Sequence, residues 1–295
     1  MSLPSHLEMK SEQKQERQWR KWLKLIGVLI FVWILSRIDF REIFLHIRSA
    51  KISSLFIAYM LIFAMYGAKT LRWHTLANNA GGTMKLQDSW RIFNIGVFLG
   101  NITPGKIGEF GRAAYLKKHG VSLPRALAIA LIDRLADVIV IGFLALFGMW
   151  HLFGTQWSFV LGGMAMTMII TGFLARKTGM GIQLKTISII MFWTLCSWLI
   201  YFIWTLLLAR SIGIDLRAIT LVSALTITGI VSLLPIAPAG LGTRDAALLT
   251  LLTPFGIQAE QTVALAFMMF IGILFSSMLG GWYWFRHSDH CSTHQ

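Results

Sequence analysis

The sequence predicts an all-α polytopic integral membrane protein, with about six full transmembrane helices plus two re-entrant (broken) helical hairpins in an inverted repeat. Three observations carry that prediction. The 295 residues are 56% hydrophobic with a mean hydropathy of +0.65, and several apolar runs approach the ~20 residues that cross a bilayer. Two apolar segments, 89–119 and 218–256, are interrupted near their middles by proline and glycine. A short Pro/Gly pattern also recurs at an offset that carries one set of predicted spans onto another.

The charge balance fits the same class. Lys and Arg number 27 against 13 Asp and Glu, a net charge of +14. In a soluble chain that excess would point to nucleic acid. Here most of the basic residues sit in tails and short loops, where they set topology and meet anionic lipid headgroups. Nucleic acid is therefore not an expected partner, whereas membrane lipids are. Cys196 lies in an apolar run and Cys291 in the tail, so no disulfide framework is implied.

Residues 1–21 form a polar, basic N-terminal tail. No small-residue cleavage pattern follows the next apolar run, which reads as a retained anchor. The first membrane repeat covers 22–152, with spans at 22–38, from Ile52 to about Tyr66 or beyond, and from Pro124 to about His151. Lys69, Arg72, Lys85 and Arg91 read as a basic loop before the hairpin at 89–119. The second repeat covers 157–285, with spans at 157–175, 187–209 and 259–285 and its hairpin at 218–256. Residues 286–295 form the C-terminal tail.

The first broken segment centres on Asn101-Ile-Thr-Pro-Gly-Lys-Ile-Gly-Glu-Phe-Gly-Arg112. Pro104 and Gly105 stop the helix that enters from Trp90, because proline removes a backbone donor and glycine loses most entropy in a helix. Thr103 followed by Pro104 reads as an N-cap and first helical position, so a second helix should start there. Broken backbone at membrane depth survives only inside protein or along a wet cavity. A helix N-terminus carries about +0.5 charge, and Lys106 and Arg112 lie within about two turns of it, a suitable place for an anion. The other reading is a cytoplasmic loop after a short membrane helix.

Counting charges by side favours hairpins. If both broken segments dip in and return, the N-terminus, 69–91, 117–125, 176–185 and the C-terminus share one side, and the Lys/Arg-free stretch 151–157 falls on the other. By the positive-inside rule both termini are then cytoplasmic. Arg37, Arg41, Arg48 and Lys51 fall on the wrong side in this arrangement, which snorkelling and the statistical nature of the rule accommodate.

Thr103-Pro-Gly-Lys-Ile-Gly108 and Ala237-Pro-Ala-Gly-Leu-Gly242 share proline, an aliphatic residue and glycine at equal spacing, 134 residues apart. The same offset carries each span of the first repeat onto a span of the second. Each half holds three spans and a hairpin, so the halves must be oppositely oriented, with the broken helices meeting near the midplane as in many secondary transporters.

Ionisable residues inside such segments are functional candidates by default. Asp133 and Asp137 lie four apart on one helical face beside Arg134. Glu109 and Arg112 lie on the first returning limb, and Arg244 and Asp245 at the second. Internal ion pairs that seat the hairpins and a cationic site for an anionic headgroup are compatible, since an empty site needs carboxylates to orient its arginines. Enzyme motifs are poor: Gly-x-Ser-x-Gly, His-Glu-x-x-His and the P-loop pattern do not occur. The terminal His287-x-x-His290-Cys291-x-x-His294 reads as a solvated tail, and no metal or cofactor is expected.

Three motifs together resemble the lysylphosphatidylglycerol synthase transmembrane region, or flippase-like, family. They are Asn101-x-x-Pro104-x-x-x-Gly108-Glu109-x-x-Arg112, then Asp133-Arg134-Leu135-x-Asp137, then Pro235-x-x-Pro238-x-Gly240-x-Gly242-x-x-Asp245. The resemblance spans roughly 22–285 and implies a bacterial or archaeal membrane protein that handles phospholipids or polyprenyl-phosphate-linked lipids. Family members often carry Glu where this chain has Asp133 and Asp245. No aminoacyl-transfer domain follows the membrane region in these residues, so lysyl transfer to lipid is not expected.

The expected function is translocation of a lipid with an anionic, phosphate-bearing headgroup in the cell (inner) membrane, without enzymatic chemistry. Lys106, Arg112, Arg134 and Arg244 are the expected headgroup ligands. Glu109, Asp133, Asp137 and Asp245 would orient them or couple a proton. The alternative is a membrane-embedded enzyme or accessory protein of lipid-linked glycan or envelope lipid synthesis, and enzymes of those syntheses are partner candidates.

Overall fold

A computed structural model describes residues 40–154, 184–232 and 242–289. Among them nine α-helices and no strand occur. The helices are α1 (Phe40–Ser49), α2 (Ile52–Asn79), α3 (Leu86–Ile102), α4 (Arg112–Leu116), α5 (Leu123–Phe153), α6 (Leu184–Ser211), α7 (Ala218–Val231), α8 (Thr243–Leu252) and α9 (Ala259–Asp289). The predicted spans at 22–38 and 157–175 lie outside the described residues, as do Pro235, Pro238 and Gly240 of the second break.

Among the described residues, three helices are long and apolar enough to cross a membrane: Ile52–Asn79, Lys185–Ser211 and Ala259–Arg286. At 1.5 Å per residue the 28 residues of α2 reach about 42 Å, more than the ~30 Å hydrocarbon layer. The 31-residue α5 is longer still and carries Asp133, Arg134 and Asp137 near its middle. Large side chains such as Phe56, Phe143, Leu199 and Phe275 are exposed, the pattern of helices solvated by lipid.

One sequence expectation is corrected here. Lys69 and Arg72 are not in a loop: α2 continues unbroken past both of them to Asn79. The stretch from Ile52 to Ala80 holds no proline and only Gly67, so nothing stops the helix before the Gly81-Gly82 turn. Of the four basic residues assigned to that loop, Lys85 alone lies in the connection to α3, and Arg91 falls in the second turn of that helix.

The first break is a fold-back. After α3 ends at Ile102, residues Pro104–Gly111 form a 3-10 run that leads into the short α4. The helix does restart at Pro104 as expected, but as the tighter form. Thr103 caps no helix through its side chain. Its hydroxyl instead donates to Leu99 O at 2.7 Å and accepts from Gly108 N at 2.7 Å, pinning the turn. Contacts then step backward along α3. Gly108 lies against Leu99, Glu109 against Gly100, and Arg112 against Gly96. A Cβ on Gly108 would collide with the Leu99 carbonyl, so the close return demands glycine there.

The offset of 134 residues extends to whole elements. Moved by it, α2 falls on α6, α3 on α7, the 104–116 limb on α8, and α5 on α9, each to within a few residues. The packing follows the same exchange: α2 packs against α6, α3 against α9, and α5 against α7. Exchanging the halves thus carries the α3–α9 contact onto α5–α7 and the α2–α6 contact onto itself, as a pseudo-two-fold relation requires.

Candidate functional site

The two halves differ sharply in charge. Lys69, Arg72, Lys106, Glu109, Arg112, Asp133, Arg134 and Asp137 all belong to the first, while the positions 134 residues on are Ile203, Leu206, Gly240, Thr243, Ala246, Phe267, Met268 and Ile271. The second half contributes chiefly Arg244. These residues meet around a cavity of about 210 Å³ between α2, α3, the 104–111 run, α5, α6 and α7.

The floor of the cavity is an ion-pair network. Arg72, 1% exposed, donates from Nε to Asp133 Oδ1 at 2.7 Å. Its NH1 and NH2 reach the two oxygens of Asp137 at 2.9 and 3.0 Å, and NH1 also reaches Thr194 Oγ1 on α6 at 2.9 Å. Lys69 Nζ adds a contact to Asp137 Oδ2 at 3.1 Å. Arg112 NH2 takes the other oxygen of Asp133 at 2.6 Å, while its guanidinium lies over the Trp73 ring at 4.1 Å and beside Phe93 at 5.4 Å. The spacing of Lys69, Arg72 and Trp73 places them on one face of α2, and Asp133 and Asp137 meet that face one turn apart on α5.

The pairing differs from the sequence reading. Asp133 engages Arg72 and Arg112, not its neighbour Arg134. Arg134 turns to Glu109 at 3.5 Å, in a half-buried pair. Asp245 is a capping residue: its Oδ2 accepts from Gly242 N at 2.9 Å, with Gly242 at φ +80°, and its Oδ1 lies 3.5 Å from Arg244 NH2. Arg244 also donates to Ala266 O at 2.8 Å, which fastens α8 to α9.

Six cations and three carboxylates therefore line the cavity. Several of its donors have no acceptor among the described residues. Arg112 Nε, Arg244 Nε, Asn101 Nδ2 and Trp198 Nε1 are buried without a hydrogen-bond partner. Lys106 lines the same space; its backbone N–H donates to Thr103 O at 3.3 Å, while its ammonium makes no hydrogen bond or ion pair among the described residues. It also sits at φ +56°, the one non-glycine residue with positive φ among them. Left-handed backbone at a lysine costs of order 1–2 kcal/mol and is typical of sites where geometry serves a ligand. A site with surplus donors and net positive charge is matched by an anion rich in acceptor oxygens.

Of the expected ligands and orienting residues, Lys106, Glu109, Arg112, Asp133, Arg134, Asp137 and Arg244 line the cavity together with Asn101 of the break, whereas Asp245 is not among the lining residues. The sequence reading missed Lys69 and Arg72, which were legible as helical because no breaker separates them from the apolar run. Trp198 and Tyr201 reach the cavity from α6, Thr194 and Trp73 back the network through Arg72 and Arg112, and no local signal announces them.

One contact resembles a hydrolytic dyad and is not one. His74 Nδ1 lies 2.8 Å from Ser89 Oγ, and Asn78 Nδ2 lies 3.0 Å from His74 Nε2. Asn78 Oδ1 accepts from Met84 N at 3.2 Å, so its amide nitrogen is the donor to Nε2. The ring proton then sits on Nδ1 and is given to Ser89. A base would have to take a proton from that hydroxyl, and Ser89 is fully buried.

The helix lengths, the lipid-type surface and the buried charges define a multi-pass, all-helical membrane protein. Among protein families, the model for the lysylphosphatidylglycerol synthase TM region matches residues 22–176 and 173–281. The chain belongs to that family. Comparison with curated proteins and with solved structures gives no match.

Proposed function

We propose that this protein is a flippase-like transporter that moves a lipid with a phosphate-bearing, anionic headgroup across the membrane, with the central cavity as the headgroup site. The observation that carries the reading is the surplus of donors around one cavity: among the described residues, the Lys106 ammonium has no hydrogen-bond or ion-pair partner and four buried N–H groups have no acceptor. A phosphate ester supplies several acceptor oxygens to such a set and matches arginine forks in shape. The lipid tails stay in the bilayer while the headgroup alone enters, which spares the desolvation of a whole polar molecule. Membrane family, the exchange of helix contacts between the halves and the fold-back of the first break support an inverted-repeat arrangement of six spans and two re-entrant hairpins, in the cell inner membrane with both termini cytoplasmic.

The test is reconstitution into vesicles containing a fluorescent-headgroup phosphatidylglycerol, with dithionite bleaching of the outer leaflet. Transport makes the inner-leaflet pool bleachable in proteoliposomes and leaves lipid mass unchanged. A protected pool identical to that of empty vesicles, with every phosphate lipid tried, would refute the reading. A product of altered mass would make the protein an enzyme instead.

A further inference from the structure

A second cavity lies on the other side of α3. Phe93, Val97 and Asn101 of that helix line the central cavity, whereas Asp88, Arg91, Ile92 and Ile95 line this one. Its volume is about 520 Å³, and its remaining walls are the end of the first break and the last turns of α9. Cations enter from three elements: Arg91 from α3, Lys118 from the turn after α4, and Arg286 from α9. Asp88 is the one carboxylate on the wall among the described residues, and it holds Arg91 only loosely, at 3.8 Å with the Arg91 side chain largely exposed. The Arg286 guanidinium lies over the Trp282 ring at 5.1 Å, and Tyr115, His119 and Tyr283 complete the lining.

Aromatic rings beside arginines at the end of a membrane helix are suited to the headgroup layer, where the rings sit among ester groups and the cations meet phosphate. Three cations against one carboxylate leave the cavity net positive, and its volume exceeds that of the central cavity. α9 also seats tightly on α3 at this end: a Cβ on Gly280 would collide with Asn94 O, and one on Gly281 would lie 2.9 Å from Phe98. A ligand bridging Arg91 and Arg286 therefore joins the first half to the last helix at a contact that is already close.

We infer that this cavity binds the phosphate of an anionic phospholipid headgroup at the membrane surface, as a site separate from the central cavity. The inference does not depend on transport. Phosphate chemistry is common to a lipid headgroup and a soluble phosphate ester, and the lipid is the source favoured by the aromatic wall. The test is native mass spectrometry of the full chain released from micelles supplemented with phosphatidylglycerol, phosphatidylcholine or sn-glycerol 3-phosphate. Phosphatidylglycerol adducts should be retained over phosphatidylcholine, unaffected by the soluble ester, and weakened about tenfold in Arg91→Gln/Arg286→Gln by loss of two basic contacts. The charge-keeping Arg91→Lys/Arg286→Lys should retain most of the binding, which separates loss of a site from loss of fold. Equal retention of phosphatidylglycerol by the Gln pair and the parent would overturn the inference, and displacement of the lipid by the soluble ester would overturn the lipid as ligand.

Discussion

Arg72 on α2 donates to Asp133 on α5 at 2.7 Å, with both side chains almost wholly buried. That bond joins two long helices at a depth where apolar packing gives little preference for protein over lipid, so polar contacts weigh more in holding helices together. The carboxylate is shared, because its second oxygen takes Arg112 from the fold-back limb. One aspartate thus ties the break to two membrane helices.

Asp133→Asn strands the Arg112 guanidinium, leaves Arg72 with Asp137 alone, and should lower stability by roughly 3–5 kcal/mol, the range for removing one partner of a buried ion pair. Arg134→Gln breaks a half-buried 3.5 Å contact and should change stability by less than about 1 kcal/mol. Thermal unfolding in detergent, followed by monodispersity on size-exclusion chromatography, reads both. Equal melting of Asp133→Asn and parent would show that the network does not hold the helices.

The close return of the first break makes a steric prediction. Gly108→Ala places a methyl against the Leu99 carbonyl and must open the turn that Thr103 pins, a strain in the range of about 1–3 kcal/mol for overpacked sites. Thr103→Val removes the hydroxyl that serves both Leu99 O and Gly108 N and should destabilise by about 1–3 kcal/mol through unpaired backbone groups. Protease sensitivity at 103–111 should rise in both variants. An unchanged cleavage pattern would mean that the hairpin tolerates a wider turn.

Topology follows from charge and is checked by chemistry. In a background with Cys196 and Cys291 replaced by serine, an impermeant maleimide should label a cysteine at Gly154 in intact cells. It should label one at Lys185 only after permeabilisation. Labelling of the 154 site from the cytoplasm would remove the hairpin topology.

Much of this arrangement was legible in the residues, for physical reasons that differ by element. Long spans such as 259–285 declare themselves by apolar length. The break at Pro104 declares itself because proline and glycine are incompatible with a continuing helix. The repeat was visible in six residues and extends to the helix packing. Charge reading went astray at Lys69 and Arg72, where a positional rule about loops was applied to residues inside a helix. The partner choices of Asp133 were beyond local reasoning. Arg72 lies 61 residues away, and Arg134, the chain neighbour, points elsewhere. Helix phase alone gives the face a residue occupies, not which of two arginines reaches it.

Lys106 provides the sharpest test of the headgroup site. Arg72 and Arg112 are poor probes, because each is held by aspartate and its removal would strand that partner and perturb the fold. Lys106 has no partner among the described residues to strand, so Lys106→Gln removes a unit of charge without leaving an uncompensated carboxylate behind. The substitution should leave the melting temperature within about 2 °C of the parent, as expected for a change of a few tenths of a kcal/mol. Headgroup transport should fall by at least about tenfold, the effect of losing one charge-assisted hydrogen bond to phosphate, worth about 1.5–3 kcal/mol. Lys106→Arg keeps the charge and should recover part of the rate. Lys106→Gly should fold at least as well as the parent, since glycine adopts φ +56° without strain, yet be as slow as Lys106→Gln. If Lys106→Gln and Lys106→Gly both move lipid at the parent rate while remaining folded, Lys106 is not a headgroup ligand, and its backbone conformation serves the turn alone.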